Sequence, residues 1–446
     1  MTHLLTRARA ARDWNPPEFA RRLCDLGARR GVPVGTGKDG VYRWEAGRCP
    51  DKATQRLIAE LLDIPLEAVD QYLWPLWLAL DPLQQPTRYP WDAPGAIQAL
   101  DDVSEREMMT IKRRDFTFLT GATLTESLWS WLTADPAAAG QITQARRLGE
   151  RAVVRVEDRV RELRHADDLD GGGQLLTDTA SSLQLVVNLL KDRSYTNAHG
   201  ARLHAAAADL ARMHAWAVFD IHDQCADGIF HAALRSAHAS SDASLGSHVL
   251  AFWSIAAHNT GRADDAEAMT NAALSAARGR TTPRVEAMLL SRRARARAHL
   301  ANSAAFTDLG KAADLLAAAD EAPGEDPEWV YWFDRSELLG TCASTYLDLD
   351  QPARAEETFI EAAALFPADR VRTQTLFLSR RADAQWRQGE FDGACATANL
   401  ALDLTEEISS HRAAGPLYDL ATRMRPQEAI PAVRDFRERL AATLTA

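Results

Sequence analysis

Arginines are concentrated in two similar segments of the chain and could bind an anion. Residues 290–296 read Leu-Ser-Arg-Arg-Ala-Arg-Ala, and residues 378–384 read Leu-Ser-Arg-Arg-Ala-Asp-Ala. Helical spacing puts Arg292 and Arg295 on one face of the first segment. A guanidinium group donates paired hydrogen bonds to a carboxylate or a phosphate, so this face could hold a peptide C terminus or a phosphate. The arginines could instead neutralise acids on neighbouring helices, such as Glu267 or Asp314.

Histidine is the second residue type whose clustering could do chemistry. Eight of the twelve histidines lie between residues 199 and 258. Metal sites need ligands at a suitable spacing, and the sequence has no His-x3-His pair, no HExxH and no Cys/His cluster of the usual kind. We therefore expect exposed or groove-lining histidines without a metal. A groove whose charge depends on pH stays open as an alternative.

The sequence has no signature of an enzyme. There is no Walker A loop, no dinucleotide GxGxxG context and no GxSxG, so we expect neither catalysis nor a cofactor. The five cysteines are scattered without a CxxC pair, which is typical of reduced thiols in the cytoplasm. Neither a signal peptide nor an apolar run of about 18 residues is present, so we expect no membrane span.

Charge is distributed unevenly along the chain. Residues 1–56 contain 12 Lys and Arg against six Asp and Glu, a net charge of +6. The whole chain carries −11, which leaves −17 for the remaining residues. A basic head on an acidic body indicates contact with nucleic acid at one end, with chance surface charge as the alternative.

Residues 1–80 predict a small helical domain. The first helix begins at Leu4, and Pro16-Pro17 suits the first turn of the second. Four glycines and Pro33 in residues 31–40 predict a turn. A third helix then carries the apolar residues Val41 and Trp44 and ends at Gly47, and a fourth spans about residues 51–62.

Prolines mark the end of this domain. Pro82, Pro86, Pro90 and Pro94 follow each other at every fourth position, which predicts a semi-rigid linker over residues 81–110. Residues 111–173 predict a helical connecting region that ends at three consecutive glycines. The repeat domain then occupies residues 174–446.

The repeat domain predicts an all-α solenoid. Ala343 and Tyr346 on one helix, followed by Phe359 and Pro367 on and after the next, form the clearest unit. Positions equivalent to Ala343 recur at spacings of 40, 40, 49 and 39 residues, at His214, Ser254, Ala294, Ala343 and Ala382. Small residues at helix crossings and an aromatic residue behind them resemble tetratricopeptide repeats. Residues 412–443 would cap the array.

The tetratricopeptide resemblance implies a concave wall that binds a ligand or a partner. In this register, seven residues should face that wall, and the paired arginines add two more. The candidate ligand-binding residues are His258, Asn259, Arg292, Arg295, Ser344, Asp348, Asp383, Trp386 and Arg387.

The basic head resembles the XRE/lambda-repressor type of helix-turn-helix over about residues 1–70. Residues 41–48 read Val-Tyr-Arg-Trp-Glu-Ala-Gly-Arg, in which Glu45 and Gly47 match the most characteristic pair. Residues 18–23 resemble the first helix of that motif. The chain departs from the family in an apparent insertion from Cys24 to Gly35, which predicts an unusually long turn. Gly37 and Gly40 lie where helix formers are expected, at roughly 1 kcal/mol each.

This resemblance implies a docking mode in which the third helix enters the major groove of double-stranded DNA. In that register Lys38, Asp39 and Arg43 face base edges, with Tyr42 beside them. Phosphates would be contacted by Thr36, Arg48 and Arg21. Val41 and Trp44 belong to the core in this interpretation.

A helix-turn-helix joined to tetratricopeptide repeats also resembles the RRNPP regulators of bacteria. It is similar as well to tetratricopeptide regulators of high-GC bacteria, which often carry the Arg-Arg-Asp-Phe sequence found at residues 113–116. The resemblance implies a cytoplasmic, homodimeric transcriptional regulator controlled by a peptide, small molecule or partner protein in the groove. The alternative is a scaffold with a degenerate head that acts through protein contacts without binding DNA.

Overall fold

The computed structural model describes residues 3–10, 12, 14–71, 73–75, 77, 78, 81, 89–106, 119–135, 138–141, 147–170, 172–321, 324–367, 370–405 and 411–443. Over these residues the chain is all-α, as predicted, and contains no strand beyond two isolated bridges. The chain divides into an N-terminal unit, residues 1–90 and 105–119, and a C-terminal unit, residues 91–104 and 120–446. The Arg-Arg-Asp-Phe segment, Pro82 and Pro86 lie outside the described residues.

Five helices form the described part of the N-terminal unit, in the order that the sequence predicts. Asn15 and Asp51 cap the second and the fourth by accepting hydrogen bonds from the backbone N–H groups of Glu18 and Thr54, as N-cap residues do. The helices are α1 (Leu4–Ala10), α2 (Pro16–Arg30), α3 (Lys38–Glu45), α4 (Lys52–Leu61) and α5 (Leu66–Gln71).

The turn before α3 is shorter than the sequence suggests. The apparent insertion from Cys24 to Gly35 is wrong as a loop, because α2 continues to Arg30 and buries Leu26 and Gly27. Gly31 then ends α2 in the left-handed conformation, with φ of 69°, which glycine adopts without strain. The connection to α3 is therefore residues 31–37.

The C-terminal unit consists of helices that pair in sequence. The unit begins with α6 (Ala93–Arg106, of which residues 93–104 belong here), α7 (Gly121–Thr133), α8 (Glu150–Asp170) and α9 (Gly172–Asp192). The helices that follow are α10 (Asn197–His222), α11 (Asp227–Ala239), α12 (Ala243–Asn259), α13 (Ala263–Ala277), α14 (Pro283–His299), α15 (Ala304–Glu321), α16 (Arg335–Asp348), α17 (Pro352–Ala363), α18 (Val371–Arg387), α19 (Phe391–Thr405), α20 (His411–Met424) and α21 (Pro431–Thr443).

Alternate helices of this array form an inner layer. Each of α10, α12, α14, α16 and α18 packs against the next even-numbered helix as well as against its odd-numbered partner. The inner layer closes on itself, because α20 also packs against α10. The five aligned repeat positions, His214 to Ala382, all lie on inner helices and are buried, which agrees with the predicted repeat register.

Two segments differ from the sequence-based boundaries. Residues 93–106 are helical although the linker was predicted to continue to residue 110, because Pro94 occupies the first turn, where its missing N–H costs nothing. Two of the three glycines that predict a break are helical, since α9 begins at Gly172. Among the described residues no helix is both long and apolar enough to cross a membrane.

Candidate functional site

The third helix of the N-terminal unit presents a polar face. Lys38, Asp39 and Arg43 are exposed, and Tyr42 exposes 53% of its surface. Val41 and Trp44 point the other way into the core, as predicted, with Phe19 and Leu23 of α2 in the same cluster. The spacing of three residues between Val41 and Trp44 puts both on one face, so a short helix exposes every residue that was predicted to face DNA bases.

An internal ion pair holds this helix in place. Arg9 of α1 donates from Nε and Nη2 to Oε1 of Glu45, at 2.8 and 2.5 Å. Its remaining Nη1 donates to the carbonyl of Trp14 at 2.6 Å. Both charged groups are largely buried. Glu45, which carries the motif resemblance, therefore stabilises the fold, whereas the other polar residues of α3 stay exposed.

The glycines around α3 fit its geometry. Gly37 is the N-cap, outside the helix, where glycine is well tolerated. A Cβ on Gly40 would lie 2.0 Å from Oγ1 of Thr36, so any other residue there would force the Thr36 side chain to move. The helix penalty therefore applies to Gly40 alone. Of the residues predicted to contact phosphates, Thr36 is half-buried, whereas Arg48 and Arg21 are exposed. Nη2 of Arg21 lies 3.7 Å from Oε1 of Glu18.

The inner layer of the C-terminal unit lines a partly open cavity of about 750 Å³. All six inner helices contribute to its wall. Eight of the nine predicted ligand-binding residues line it: His258, Asn259, Arg292, Arg295, Ser344, Asp348, Asp383 and Arg387. The prediction for the ninth residue, Trp386, is wrong, because its ring packs against that of Phe391, with ring centroids 4.5 Å apart. One residue advances a helix by about 100°, so Trp386 turns away from the face that carries Arg387.

Four arginines in the second half of α14 divide between two faces of the helix, as their spacing predicts. Arg293 and Arg297 both bind Asp308 of α15, at 2.6 and 2.8 Å, and Arg297 also binds Glu267. Arg292 and Arg295 instead point into the cavity, where they pair with Glu337 and Asp348 of α16. Ion pairing thus accounts for the first face, and the second face is open to the cavity.

Two carboxylates in the cavity wall are each shared by two arginines. Asp348 pairs with Arg295 and lies 3.7 Å from Nη1 of Arg380. Asp383 binds Arg387 and Arg423, both at 2.9 Å. Burial by itself would raise the pKa of Asp348, but the charges of Arg295, Arg380 and His299 outweigh it and hold that pKa below its ordinary value. Asp348 is therefore ionised near neutral pH.

Arg380 lies in a position that is unfavourable for a charged guanidinium group. Burial and the neighbouring charge of Arg295 lower its pKa to about 10, although Asp348 and Asp383 oppose the shift. Its Nε is buried and, within the described part of the chain, has no hydrogen-bond partner. The same holds for Nε of Arg292. Two guanidinium groups of the cavity wall thus keep unused donors.

The wall also contains residues that the sequence did not single out for binding. Arg380 belongs to the second arginine segment, so the repetition of that segment was an available signal. Arg423 and Tyr418 come from α20, which was predicted only to cap the array. Their place in the wall follows from the contact between α20 and α10, which no local pattern reveals.

A smaller aromatic chamber of about 90 Å³ adjoins the cavity and shares Ile255, Arg292 and Glu337 with it. Arg292 lies over the ring of Trp332, 5.2 Å from its centroid, and Arg212 lies 4.4 Å from the ring centroid of Phe252. Such cation–π contacts hold guanidinium groups against apolar surface. They fix the position of Arg292 at the junction of the two spaces.

The clustered histidines are mostly buried, so the expectation of exposed side chains is wrong. Six of the eight are buried, and of these only His258 lines the large cavity. Alanine-rich helices pack closely enough to enclose them. Burial lowers the pKa of His204 and of His214 to about 4, which leaves both neutral at pH 7. Over the described residues no group of three or more His, Cys, Asp or Glu side chains could hold a metal ion.

Comparison with known proteins bears on the N-terminal unit alone. One family model, described as SP15 N-terminal domain, matches residues 5–68. The match begins within α1, includes α2 to α4 and ends within α5, so it contains the helix with the exposed polar face. No curated protein matches the chain.

Proposed function

We propose that this protein is a DNA-binding transcriptional regulator, controlled by a ligand in the cavity of its C-terminal unit. The observation that carries the proposal is the exposed face of α3. Lys38, Asp39, Tyr42 and Arg43 are all accessible on a helix whose opposite face is fixed in the core. An accessible, rigidly held helix with guanidinium and ammonium groups suits the major groove of double-stranded DNA.

Charge supports this assignment. The basic residues of α3 lie within a segment of net charge +6 in a chain of net charge −11. Phosphate contacts by basic side chains supply most non-specific affinity, and Arg21 and Arg48 are exposed for that role. Such a regulator works in the cytoplasm, in line with its unpaired cysteines.

A single α3 reads few base pairs, so the regulator would act as a homodimer on two half-sites. The closed inner layer supplies a means of control. A ligand that binds better to one curvature of the helix array than to another increases the population of molecules with that curvature. The change in curvature would in turn change the distance between the two DNA-binding heads. The C-terminal unit would be a tetratricopeptide-like sensor in this proposal.

The connection between α2 and α3 favours a second candidate, the scaffold. Residues 31–37 are seven residues, whereas the turn of a helix-turn-helix commonly has about three or four. A head with this geometry could serve as a docking module while the helix array binds a partner protein. Steep salt dependence of DNA binding distinguishes the regulator from this alternative.

The test is retention of sheared genomic DNA by the purified full-length chain at physiological salt, followed by sequencing. We expect discrete enriched sites with inverted repeats, and replacement of Arg43 by Ala should abolish their enrichment. Arg56→Ala is the matched control, because Arg56 is an exposed arginine of α4 paired with Asp70 outside the proposed interface. Equal enrichment by the Arg43 and Arg56 variants would refute base reading by α3, and no enrichment by the wild type would favour the scaffold.

A further inference from the structure

We infer that the aromatic chamber beside the cavity binds one uncharged, planar aromatic ring, which belongs to the ligand of the C-terminal unit. The inference deepens the proposed function, on which its regulatory meaning rests, by naming the class of ligand. Three observations carry it: ring surfaces around the chamber that a ligand can reach, guanidinium groups that each have a carboxylate partner, and the junction of the chamber with the larger cavity.

An insertion in the repeat array supplies half of the rings in the chamber wall. The repeat spacing is 49 residues between Ala294 and Ala343, against 39 or 40 elsewhere. The additional residues lie mainly in the connection between α15 and α16, which brings Trp329, Tyr331 and Trp332 into the wall. The remaining rings belong to the inner helices α10 and α12 and are those of Trp216, His248 and Phe252. Rings from three separate elements therefore surround one space.

The rings of the chamber wall are not fully covered by each other. The ring of Phe252 meets those of Trp216, His248 and Trp332 in edge-to-face arrangements, with centroids 4.9, 5.0 and 5.8 Å apart. Phe252 and Trp332 are nevertheless only half-buried, and Tyr331 exposes 40% of its surface. Because these three residues line the chamber and retain accessible surface, a ligand can reach their rings. A further ring is the partner that such surfaces prefer, in an edge-to-face or offset contact.

The charged groups of the chamber wall favour an uncharged ligand. Five arginines line the chamber, and each pairs with a carboxylate at 2.6–3.2 Å. The pairs are Arg164 and Arg212 with Asp209, Arg292 with Glu337, Arg370 with Asp334, and Arg372 with Asp167. Asp220 lies 3.6 Å from Arg372 and Glu328 lies 3.8 Å from Arg164, so the arginines have no excess over the carboxylates.

A charged ligand would have to displace one of these partners and give up its own hydration, and a neutral ring avoids both costs. The ring of His248 adds no charge either, because burial lowers its pKa well below the ordinary value and leaves it neutral at pH 7. The chamber thus offers aromatic surface without a demand for charge.

The dimensions of the chamber suit one ring. Its volume of about 90 Å³ is that of about three molecules of liquid water. It shares Ile255, Arg292 and Glu337 with the cavity of about 750 Å³. A ligand whose ring fills the chamber can therefore extend its remaining atoms into the larger cavity.

Four small compounds test the chemistry of the chamber by ligand-observed NMR titration of the full-length chain. Benzyl alcohol is the neutral ring and should bind. Cyclohexylmethanol has the same number of heavy atoms without a planar π face, and should bind roughly two- to tenfold more weakly, since ring–ring geometry contributes about that factor beyond the buried area. Benzoate and benzylammonium carry opposite charges on the same ring, and both should bind more weakly than benzyl alcohol.

Three results of this titration would overturn the inference. They are failure of benzyl alcohol to bind, equal affinity for cyclohexylmethanol, and binding of either ion as tightly as benzyl alcohol. The comparison uses the wild-type chain, so it does not depend on the folding of any variant.

Matched variants locate the site. Trp332→Leu should weaken benzyl alcohol roughly two- to tenfold, and Phe252→Leu tests the inner-helix side of the chamber in the same way. Trp386→Leu is the control, because Trp386 is also half-buried but packs against Phe391 and lines neither space. Its affinity should equal that of the wild type. Equal affinities of the Trp332 and Trp386 variants would overturn the location, with circular dichroism confirming that each is folded.

The two proposals are tested in separate experiments. The NMR titrations contain no DNA, and the genomic DNA assay contains no added aromatic compound. Failure of the ligand inference and failure of the proposed function are therefore observed separately.

Discussion

Replacing Arg380 by Met should stabilise the free protein, although it removes a buried charge from an ion-pair network. Burial and Arg295 hold the pKa of Arg380 near 10 instead of its ordinary 12.5. The folded state therefore disfavours the charged guanidinium, and this cost is present at every pH below about 10. It is relieved only as the pH rises from 10 towards 12.5.

The magnitude follows from the shift. At about 1.4 kcal/mol per tenfold change in the protonation equilibrium, the cost of charged Arg380 at pH 7 is on the order of 3 kcal/mol. Removing Arg380 leaves neither carboxylate without a cationic partner. Asp348 still pairs with Arg295, and Asp383 still pairs with Arg387 and Arg423. Methionine fills part of the volume, so we expect a net gain of about 1–3 kcal/mol in the free energy of unfolding.

Arg295→Met is the contrasting variant. Arg295 is the close hydrogen-bonded partner of Asp348, whereas Arg380 is 3.7 Å away and His299 is 3.5 Å away. Its loss leaves a buried carboxylate poorly paired, and we expect destabilisation of about 2 kcal/mol or more. The two substitutions are chemically identical, so their opposite signs isolate the effect of position.

Urea denaturation of the full-length variants, followed by far-ultraviolet circular dichroism, measures both changes at pH 7. A midpoint of the Arg380 variant clearly below that of the wild type would refute the reasoning, since it would make Arg380 a net stabilising partner of Asp348.

Two further predictions concern packing in the same unit. Acidification from pH 7 to pH 5 should lower the free energy of unfolding by about 2 kcal/mol for each of His204 and His214, because their pKa of about 4 lies below the ordinary 6.5 and the unfolded chain takes up protons first. Equal urea midpoints at the two pH values would contradict this. Gly340→Ala should cost about 1–3 kcal/mol, because its Cβ would lie 1.9 Å from a ring carbon of Phe377. Gly310→Ala, on an exposed helix with open space, should be neutral or stabilise by up to about 1 kcal/mol, and thermal melts compare the two.

Local patterns predicted the helices well because their causes are local. Prolines in the first turn and polar N-cap residues predict where helices begin, and an apolar spacing of three or four residues predicts the buried face. Val41 and Trp44 could therefore be assigned to the core and Arg43 to the surface. Trp386 shows the limit of such local prediction. A large aromatic residue near the end of a helix could face the cavity or the neighbouring helix, and only its contact with Phe391 decides between the two.

The candidate cavity was predictable only in part. The repeat register identified the inner helices, so eight of nine predicted residues line one space. Arg423 was missed because α20 comes from the predicted cap, and its approach to α10 depends on the accumulated curvature of the whole array. The histidines were misjudged for a related reason: burial is a property of the packed layers, and composition does not report it.

The sequence by itself determined the helical class, the order of the helices, their two-helix repeat and the separation of a basic head from an acidic body. These follow from the spacing of apolar residues, from caps and prolines, and from counted charges. Only the tertiary structure decided which charges meet. Arg293 and Arg295 are two residues apart on α14, yet one binds Asp308 and the other points into the cavity. Coulomb energy depends on distance and burial, and both are set by how distant helices pack.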